Sequence, residues 1–392
     1  MDKVRLGTVM TLHRGYDLPN AQRKSGDVPV ISSSGISGSH SIAKLDGENV
    51  ITGRYGTIGE VFYHNGPCWP LNTTLFVEDF HGNDPKYVAY LLEVMLNALQ
   101  IDGTDKSTVP GVDRNVLHDL VVPYISDLVS QKTTTRVLSA IDAKIANNKK
   151  LMAELEKTAR LIYDYWFTQF DFPDENGCPY RSSGGKMAWS DELKREIPEG
   201  WKASSLSELC GFRNGVNYDK DSMSGSHCRI VNVRNITSST LFINPSELDE
   251  IDLPANLVKR YSLGSNDILI ARSGTPGAVR LIDDPTGIIF CGFIICCTPN
   301  NSEYRSYLTM ALKRLEGTTA TVTGGSILKN VSQDTLKNVK VVCPPKEVIE
   351  QFNAMIDVML RQIVRIEKES WNLINLRDWL LPMLMNGQLV VD

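Results

Sequence analysis

Residues 53–59 read Gly-Arg-Tyr-Gly-Thr-Ile-Gly, and residues 271–277 read Ala-Arg-Ser-Gly-Thr-Pro-Gly, so one pattern occurs twice, 218 residues apart. Each copy places an arginine beside glycines, which permit tight turns and close backbone approach. An internal match of this kind is the first feature to test in a long chain, because it indicates one structural unit written twice.

Two further matches locate the copies. Residues 6–15 match residues 206–215 at a spacing of 200, and residues 107–117 match residues 326–336 at a spacing of 219. The spacing grows before Arg272 and hardly changes after it, so we expect an insertion early in the second copy. Different surface loops on one scaffold are how related domains diverge in what they recognise.

Within each copy, short apolar runs are interrupted by Gly, Asn and Pro, which is typical of strands joined by turns. Each copy also contains one apolar segment long enough for a helix. The predicted strands are residues 28–32, 49–52, 74–77, 230–233, 267–271 and 288–297, and the predicted helices are residues 86–99 and 302–315.

A long helix of another kind follows each copy. Its apolar residues alternate spacings of three and four over about four heptads, which favours a coiled coil. Polar residues interrupt both seams, Asn148 in the first and Ser370 with Arg377 in the second. We expect the two helices to pair with each other, and pairing between two copies of the chain is the alternative. The apolar seam is predicted as Leu138, Ile141, Ile145, Met152, Leu155, Ile162, Ile356, Met359, Ile363, Ile366, Leu373 and Leu380.

The net charge of −5 is not typical of a nucleic-acid-binding protein. Any DNA contact must therefore come from local clusters of basic residues. The longest apolar run, residues 288–297, is about half the length needed to cross a bilayer. Since the first residues also lack the apolar core of a secretory signal, we expect a cytoplasmic protein.

The sequence lacks the motifs of the enzymes that it could be. It has no Walker A phosphate loop, no Gly-x-Gly-x-x-Gly dinucleotide fingerprint and no Asn/Asp-Pro-Pro-aromatic motif of adenine methyltransferases. Asp174, Glu192 and Lys194 have the order of a nuclease metal site, but they lie in a polar connection. The eight cysteines form no Cys-x-x-Cys pair, so we interpret them as core residues, with zinc or redox chemistry as the alternative.

Three segments resemble the specificity subunits of type I restriction–modification enzymes. Residues 165–173, Tyr-Trp-Phe-Thr-Gln-Phe-Asp-Phe-Pro, resemble the end of that family's central helical region. Residues 183–187 and 197–201 resemble its connection into a second target-recognition domain, and the repeated arginine motif is also similar to the family. The resemblance covers nearly the whole chain, and the order of the motifs carries it.

The resemblance implies an α+β fold with a pseudo-two-fold internal repeat. Two β-rich target-recognition domains would be separated by two long antiparallel coiled-coil helices that act as a ruler. The expected organisation is residues 1–125 for the first recognition domain, 126–170 for the central spacer helix, 171–200 for a connecting loop, 201–345 for the second recognition domain and 346–386 for the C-terminal spacer helix.

The resemblance also implies a function and partners. The chain would read a bipartite, asymmetric sequence in double-stranded DNA and would have no catalytic site, cofactor or metal of its own. Two modification subunits with S-adenosylmethionine would methylate adenine, and restriction subunits, a motor and nuclease using ATP and Mg²⁺, would cut unmodified DNA. The alternatives are a non-DNA scaffold with two β-rich ligand-binding modules on a coiled-coil stalk, and a self-contained nuclease.

Candidate DNA contacts are polar and basic residues near the repeated motifs, because such side chains donate to phosphates and base edges. Bracing of a tight turn is the alternative role for Arg54 and Arg272. The candidates are Arg14, Arg54, Tyr55, Thr57, Lys106 and Arg114 in the first copy, and Arg213, Lys220, Arg234, Arg272, Ser273, Thr275 and Lys329 in the second.

Overall fold

A computed structural model describes residues 2–57, 59–101, 112–218, 225–316 and 331–390. The chain divides into two compact units, one of Met1–Ala146 with Asn372–Asp392 and one of Asn147–Trp371. The helices in the described part of the chain do not reach the combined length and apolar character of a membrane span.

The first unit is built on small sheets covered by helices. Its elements are β1 (Asp2–Arg5), β2 (Thr11–Arg14), β3 (Val28–Ser32), β4 (Gly35–His40), β5 (Glu48–Gly53), β6 (Val61–Asn65), β7 (Trp69–Pro70), β8 (Thr74–Asp79), α1 (Pro85–Ile101), α2 (Arg114–Asp119), β9 (Val121–Tyr124) and α3 (Leu128–Tyr163), which continues into the second unit. The sheets have the orders β2-β8-β5-β6, β4-β3-β7 and β1-β9.

The second unit repeats this plan. Its elements are β10 (Met187–Ser190), β11 (Arg195–Pro198), β12 (Lys202–Ser205), α4 (Leu206–Leu209), β13 (Cys210–Asn214), β14 (Ser226–Val231), α5 (Val233–Ser238), β15 (Asp249–Leu253), α6 (Ala255–Tyr261), β16 (Ile268–Ala271), β17 (Val279–Arg280), β18 (Ile288–Phe290), β19 (Ile294–Pro299), α7 (Arg305–Leu315), α8 (Gln333–Lys337), β20 (Lys340–Cys343) and α9 (Lys346–Met385), which continues into the first unit.

The duplication extends to strand order. The sheet β13-β19-β16-β17 corresponds to β2-β8-β5-β6, the sheet β15-β14-β18 to β4-β3-β7, and the pair β12-β20 to β1-β9. Both three-stranded sheets contain one parallel pair, β3 with β7 and β14 with β18. The expected insertion before Arg272 is also present, since α5 and α6 lie between β14 and β16.

Three local predictions were wrong. Residues 288–297 are not one strand, because β18 and β19 are separated by a turn at residues 291–293. The strand predicted at 230–233 ends at Val231, and α5 begins two residues later. The connection at 171–200 is not only loop, because β10 and β11 pair there as an antiparallel hairpin.

The long helices pair antiparallel within each unit. In the second unit, the buried Asn148 amide donates to Glu369 Oε2 at 2.9 Å and to Ser370 Oγ at 3.1 Å, while Tyr163 lies against Phe352. Later residues of α3 thus meet earlier residues of α9. In the first unit, Arg377 and Asp142 form an ion pair at 3.3 Å, and Leu138 shares a core cluster with Leu381.

Each predicted seam residue is at least half-buried, as intramolecular pairing requires. A coiled-coil seam removes its apolar side chains from water, and the polar members need partners there. The buried members are Leu138, Met152, Ile356 and Ile363, and the half-buried ones are Ile141, Ile145, Leu155, Ile162, Met359, Ile366, Leu373 and Leu380.

Aromatic packing anchors the end of α3 in the core of the second unit. The helix continues beyond Tyr163 into one π-helical turn, Asp164–Thr168, which buries Trp166 and Phe167. The Phe167 ring lies 4.8 Å from that of Tyr307 and 4.9 Å from that of Phe352. Such edge-on contacts add to the free energy gained by burying the rings.

Candidate functional site

The repeated arginine motif lies at one edge of a four-stranded sheet in each unit. Because neighbouring strands in these sheets are antiparallel, the ends of β2 and β5 and the start of β8 share an edge. We call residues 14–16, 54–57, 59–60 and 71–73 the first loop edge. By the same pairing, residues 214–218, 272–278 and 291–293 form the second loop edge.

The two edges are closed by equivalent backbone hydrogen bonds. The Arg54 amide donates to the Thr73 carbonyl at 2.8 Å, and the Arg272 amide donates to the Phe293 carbonyl at 2.9 Å. The Arg54 carbonyl accepts from Val112 at 2.9 Å, and the Arg272 carbonyl accepts from Val331 at 3.0 Å. The two arginines therefore occupy the same backbone position in the two copies.

Two glycines of the motif, Gly53 and Gly274, are required by sterics where they stand. A Cβ atom at Gly53 would lie 1.9 Å from the Thr57 carbonyl oxygen, so the loop could not fold back with a larger residue there. Gly274 has a φ of +77°, and a Cβ atom there would lie 2.7 Å from Val233 Cγ1. Positive φ at close approach is a conformation that favours glycine.

Exposed basic and aromatic side chains gather at the first loop edge. The guanidinium of Arg54 lies 4.7 Å above the ring of Tyr55, which is itself exposed. Arg14 and Thr57 are exposed at the same edge. Lys44, which the sequence did not single out, places its ammonium 5.2 Å from the centre of the Tyr16 ring. These groups offer hydrogen-bond donors and positive charge on one side of the unit.

At the second loop edge, the Arg272 side chain helps to hold a turn in place, which is the alternative role predicted for it. Its Nη1 donates to the Gly292 carbonyl at 3.1 Å. The Thr275 hydroxyl lies 3.3 Å from that of Thr237 on α5, so the insertion contributes to this edge. Ser273 is half-buried beside them.

Two other candidate arginines have intramolecular partners. Arg213 forms an ion pair with the buried Asp267 at 2.7 Å and donates to the Ser262 carbonyl at 2.8 Å. Arg234 forms an ion pair with Asp249. A guanidinium that is already bound to a carboxylate has fewer N–H donors for a ligand. A DNA contact by these two arginines stays a prediction, and their ion pairs give each a structural role as the alternative.

Arg114 is exposed in the first turn of α2, two residues from the Val112 amide that bonds to Arg54. The side chain of Asp113 caps this helix by accepting from the Asn115 amide. Lys106, Lys220 and Lys329 lie outside the described residues.

The structure adds residues to the second loop edge that the sequence did not indicate. Phe293 is 62% exposed at the turn between β18 and β19. Asn217, Tyr218 and Asn232 line a recess of about 260 Å³ beside it. The apolar character of residues 288–297 concealed the turn, and the side chains lining the recess come from separate parts of the chain.

The nuclease-like triad has structural roles. The Asp174 carboxylate accepts from the amides of Asn176 and Cys178, each at 2.8 Å, within its own turn. Glu192 forms an ion pair with Lys340 at 2.7 Å, and Lys194 pairs with Asp191 at 3.9 Å. In the described ranges, His, Cys, Asp and Glu side chains form no cluster that could hold a metal ion.

Comparison with known proteins places these features in a family. A family model described as the type I restriction modification DNA specificity domain matches residues 1–157 and 198–375. The chain is 25% identical over 316 residues to the specificity subunit of the type I restriction enzyme MjaIX of Methanocaldococcus jannaschii, covering 78% of this chain and 69% of that protein. It is 20% identical over 316 residues to the HindI specificity subunit of Haemophilus influenzae, covering 68% of each.

A solved structure gives a similar result at the level of fold. The S subunit of a type I restriction–modification system from M. genitalium superposes with a TM-score of 0.60 at 17% identity, covering 98% of this chain and 96% of that one. The family match does not favour the alternative of a scaffold whose modules bind ligands other than DNA.

Proposed function

The chain belongs to the type I restriction modification DNA specificity family, and we propose on this basis that each loop edge reads one half of a bipartite target in double-stranded DNA. The observation that carries the proposal is the duplicated edge, in which Arg54 and Arg272 occupy the same backbone position. Loops at one edge of a rigid sheet can present side chains to a groove, where hydrogen bonds to base edges specify the sequence.

The two halves should differ, because the two edges carry different side chains on one backbone plan. Tyr55 follows the first arginine and Ser273 follows the second. Thr73 and Phe293 occupy the equivalent positions whose carbonyl groups accept from those arginines. Since each residue type favours different base edges or methyl groups, the target is asymmetric.

The long helices are proposed to set the number of unread base pairs between the halves. The boundary between the two compact units falls inside both α3 and α9. A helix has a fixed rise of about 1.5 Å per residue, so paired helices can define a length.

Catalysis is proposed to reside in partner subunits, with none in this chain. Two modification subunits carrying S-adenosylmethionine would methylate adenine, and restriction subunits would use ATP and Mg²⁺ to translocate and cut. Exposed apolar side chains on the long helices support such docking: Leu376 and Trp379 in the first unit, and Leu151 and Leu161 in the second. Exposed apolar surface is typical of interaction sites.

The test is to compare the purified chain alone with the chain co-purified with its modification subunits. Each sample receives S-adenosylmethionine and genomic DNA, followed by mapping of methylated adenines and footprinting. We expect no methylation by the chain alone, and methylation of one bipartite sequence with both halves protected in the complex. Methyl transfer by the isolated chain, or protection of one half only, would contradict the proposal.

A further inference from the structure

The turn at residues 291–293 presents an aromatic ring to solvent where the surrounding strands are buried. Ile288, Ile289 and Phe290 before the turn are fully buried, whereas Phe293 is 62% exposed. Covering an exposed phenylalanine ring with a partner is favourable, because apolar surface is removed from water. Its position at the loop edge places that partner on the surface proposed to face DNA.

This turn is rigidly held. The Arg272 amide and Nη1 bind the carbonyl groups of Phe293 and Gly292, and the Gly292 amide donates to the Val216 carbonyl at 2.7 Å. A Cβ atom at Gly292 would lie 1.9 Å from Asn217 Oδ1, so the missing side chain leaves room for the Asn217 amide beside the turn. A ring on a pre-organised turn loses little conformational entropy on binding.

Hydrogen-bonding groups surround the ring. Asn217, Tyr218 and Asn232 line the recess beside Phe293. The Asn232 amide donates to Asp249 and accepts from the Tyr218 hydroxyl, so the exposed Asn217 amide is the group offered to a ligand. Amide side chains pair with base edges in the major groove, and an apolar side chain meets the one apolar group that the groove presents, the 5-methyl group of thymine. The second loop edge therefore places the Phe293 ring, which can contact a methyl group, beside the Asn217 amide, which can hydrogen-bond to a base edge in the same groove.

The first copy differs at this position. Thr73 stands where Phe293 stands, as judged by the equivalent hydrogen bonds from Arg54 and Arg272, and it is half-buried. The first loop edge thus has no exposed aromatic ring at this position. An apolar contact from Phe293 to a base would therefore make the second half-site differ from the first.

We propose that Phe293 specifies one position of the second half-site by packing against the 5-methyl group of a thymine. This inference rests on the proposed function and names one residue that carries it out. Insertion of the ring between base pairs, the mode by which apolar side chains kink DNA from the minor groove, is the rival arrangement.

The experiment uses the complex with its modification subunits and duplexes carrying the target mapped by methylation. Each thymine of the second half-site, on either strand, is replaced in turn by deoxyuridine, which lacks only the methyl group. We expect binding to weaken about fourfold at one position, as burial of a single carbon group predicts. Phe293→Ala should abolish this sensitivity, and Phe293→Leu should retain part of it.

Trp189 provides the matched control, because it is also 62% exposed but lies on the hairpin of β10 and β11. Trp189→Ala should leave the deoxyuridine profile unchanged. Three results would overturn the inference while leaving the proposed function intact: a flat profile in the wild-type complex, a sensitive position unaffected by Phe293→Ala, or a second half-site without an A·T pair. A Phe293-dependent rise in 2-aminopurine fluorescence, which reports unstacking, would also overturn it in favour of insertion. Absence of any bipartite target would refute the proposed function itself, and the inference with it.

Discussion

Arg54 and Arg272 share a backbone position but differ in what surrounds the guanidinium. The Arg54 guanidinium stacks on the Tyr55 ring, whereas the Arg272 guanidinium donates one hydrogen bond to the Gly292 carbonyl. A guanidinium has five N–H donors, so both groups keep donors for a guanine edge or a phosphate. Bracing and recognition are compatible in Arg272, because the bond that orients the side chain also fixes the turn that carries Phe293.

Arg54→Ala should weaken recognition of the first half-site and Arg272→Ala that of the second. A lost base contact costs about 1–3 kcal/mol and relaxes preference at one position, whereas a lost phosphate contact weakens binding to every sequence and lowers the salt slope by about one. Binding of each mutant complex to single-base-substituted targets at two salt concentrations separates these results.

Arg213→Ala tests the structural role of a third candidate. If that role is its only one, loss of the guanidinium leaves the buried Asp267 without its cation, and unfolding should become easier by on the order of 3 kcal/mol with the preferred sequence unchanged. If Arg54→Ala and Arg272→Ala both kept normal affinity and specificity, neither arginine would face DNA.

The sequence predicts which arginines occupy equivalent positions in the two copies, but it does not predict which arginines form ion pairs within the protein. Spacing alone aligns Arg54 with Arg272. The carboxylates that hold Arg213 and Arg234 lie 54 and 15 residues away along the chain, so their pairing depends on the fold. Lys44 was missed because its proximity to Tyr16 is also a product of folding.

At the scale of elements, α9 carries a buried acid into the second unit. Glu367 is 4% exposed and accepts a hydrogen bond from the Thr240 hydroxyl. Burial raises the pKa of Glu367 to about 7, with a smaller contribution from Glu156. Nearby, the buried Lys313 pairs with Glu316 at 2.9 Å and with Glu156 at 3.8 Å. In this part of the interior, Glu367 therefore ionises at a higher pH than an ordinary glutamate.

Glu367 should make the second unit less stable as pH rises. In the unfolded chain the carboxyl ionises near its ordinary pKa of 4.5, but in the folded protein it stays protonated until about pH 7. Folding then opposes ionisation, so the stabilisation present below pH 4.5 is lost between about pH 4.5 and 7. Between pH 5 and 8 the loss should be about 2–3 kcal/mol, measured by urea unfolding.

Glu367→Gln should remove this part of the pH dependence and raise stability at pH 8 relative to the wild type. Glu350→Gln, at an exposed position of the same helix, is the control and should keep the wild-type profile. A wild-type pH dependence in Glu367→Gln would show that other groups cause it.

Periodicity was enough to predict the long helices but not the turn that carries Phe293. The alternation of three and four identifies both seams, because helix pairing depends on local spacing. The turn at 291–293 depends instead on contacts from Val216, Asn217 and Arg272, none of which is near it in sequence. The run at 288–297 is apolar except for Gly292, and a single glycine within a strand pattern indicates a bulge or a close backbone approach as readily as a turn.

At the scale of the whole molecule, composition gave no indication of DNA. The net charge is −5 and no segment is a basic block, so the phosphate contacts must be local or come from partner subunits. The order of repeated motifs was informative, because two sheets of the same strand order require two copies of one chain plan. The proposed function rests on that duplication together with the differences between the loop edges.

We propose that the two loop edges read two half-sites at a distance set by α3 and α9. This role of the helices is tested by inserting one heptad into α3 after Ala146 and one into α9 after Trp371, at the boundary of the two units. Each insertion adds about 10 Å of helix, or about three base pairs of DNA at about 3.4 Å each. Methylome sequencing of a host carrying the variant with its modification subunits should show both half-sites unchanged and the unread spacer about three base pairs longer. A spacer of unchanged length with altered half-sites would show that the helices do not set the distance between the half-sites.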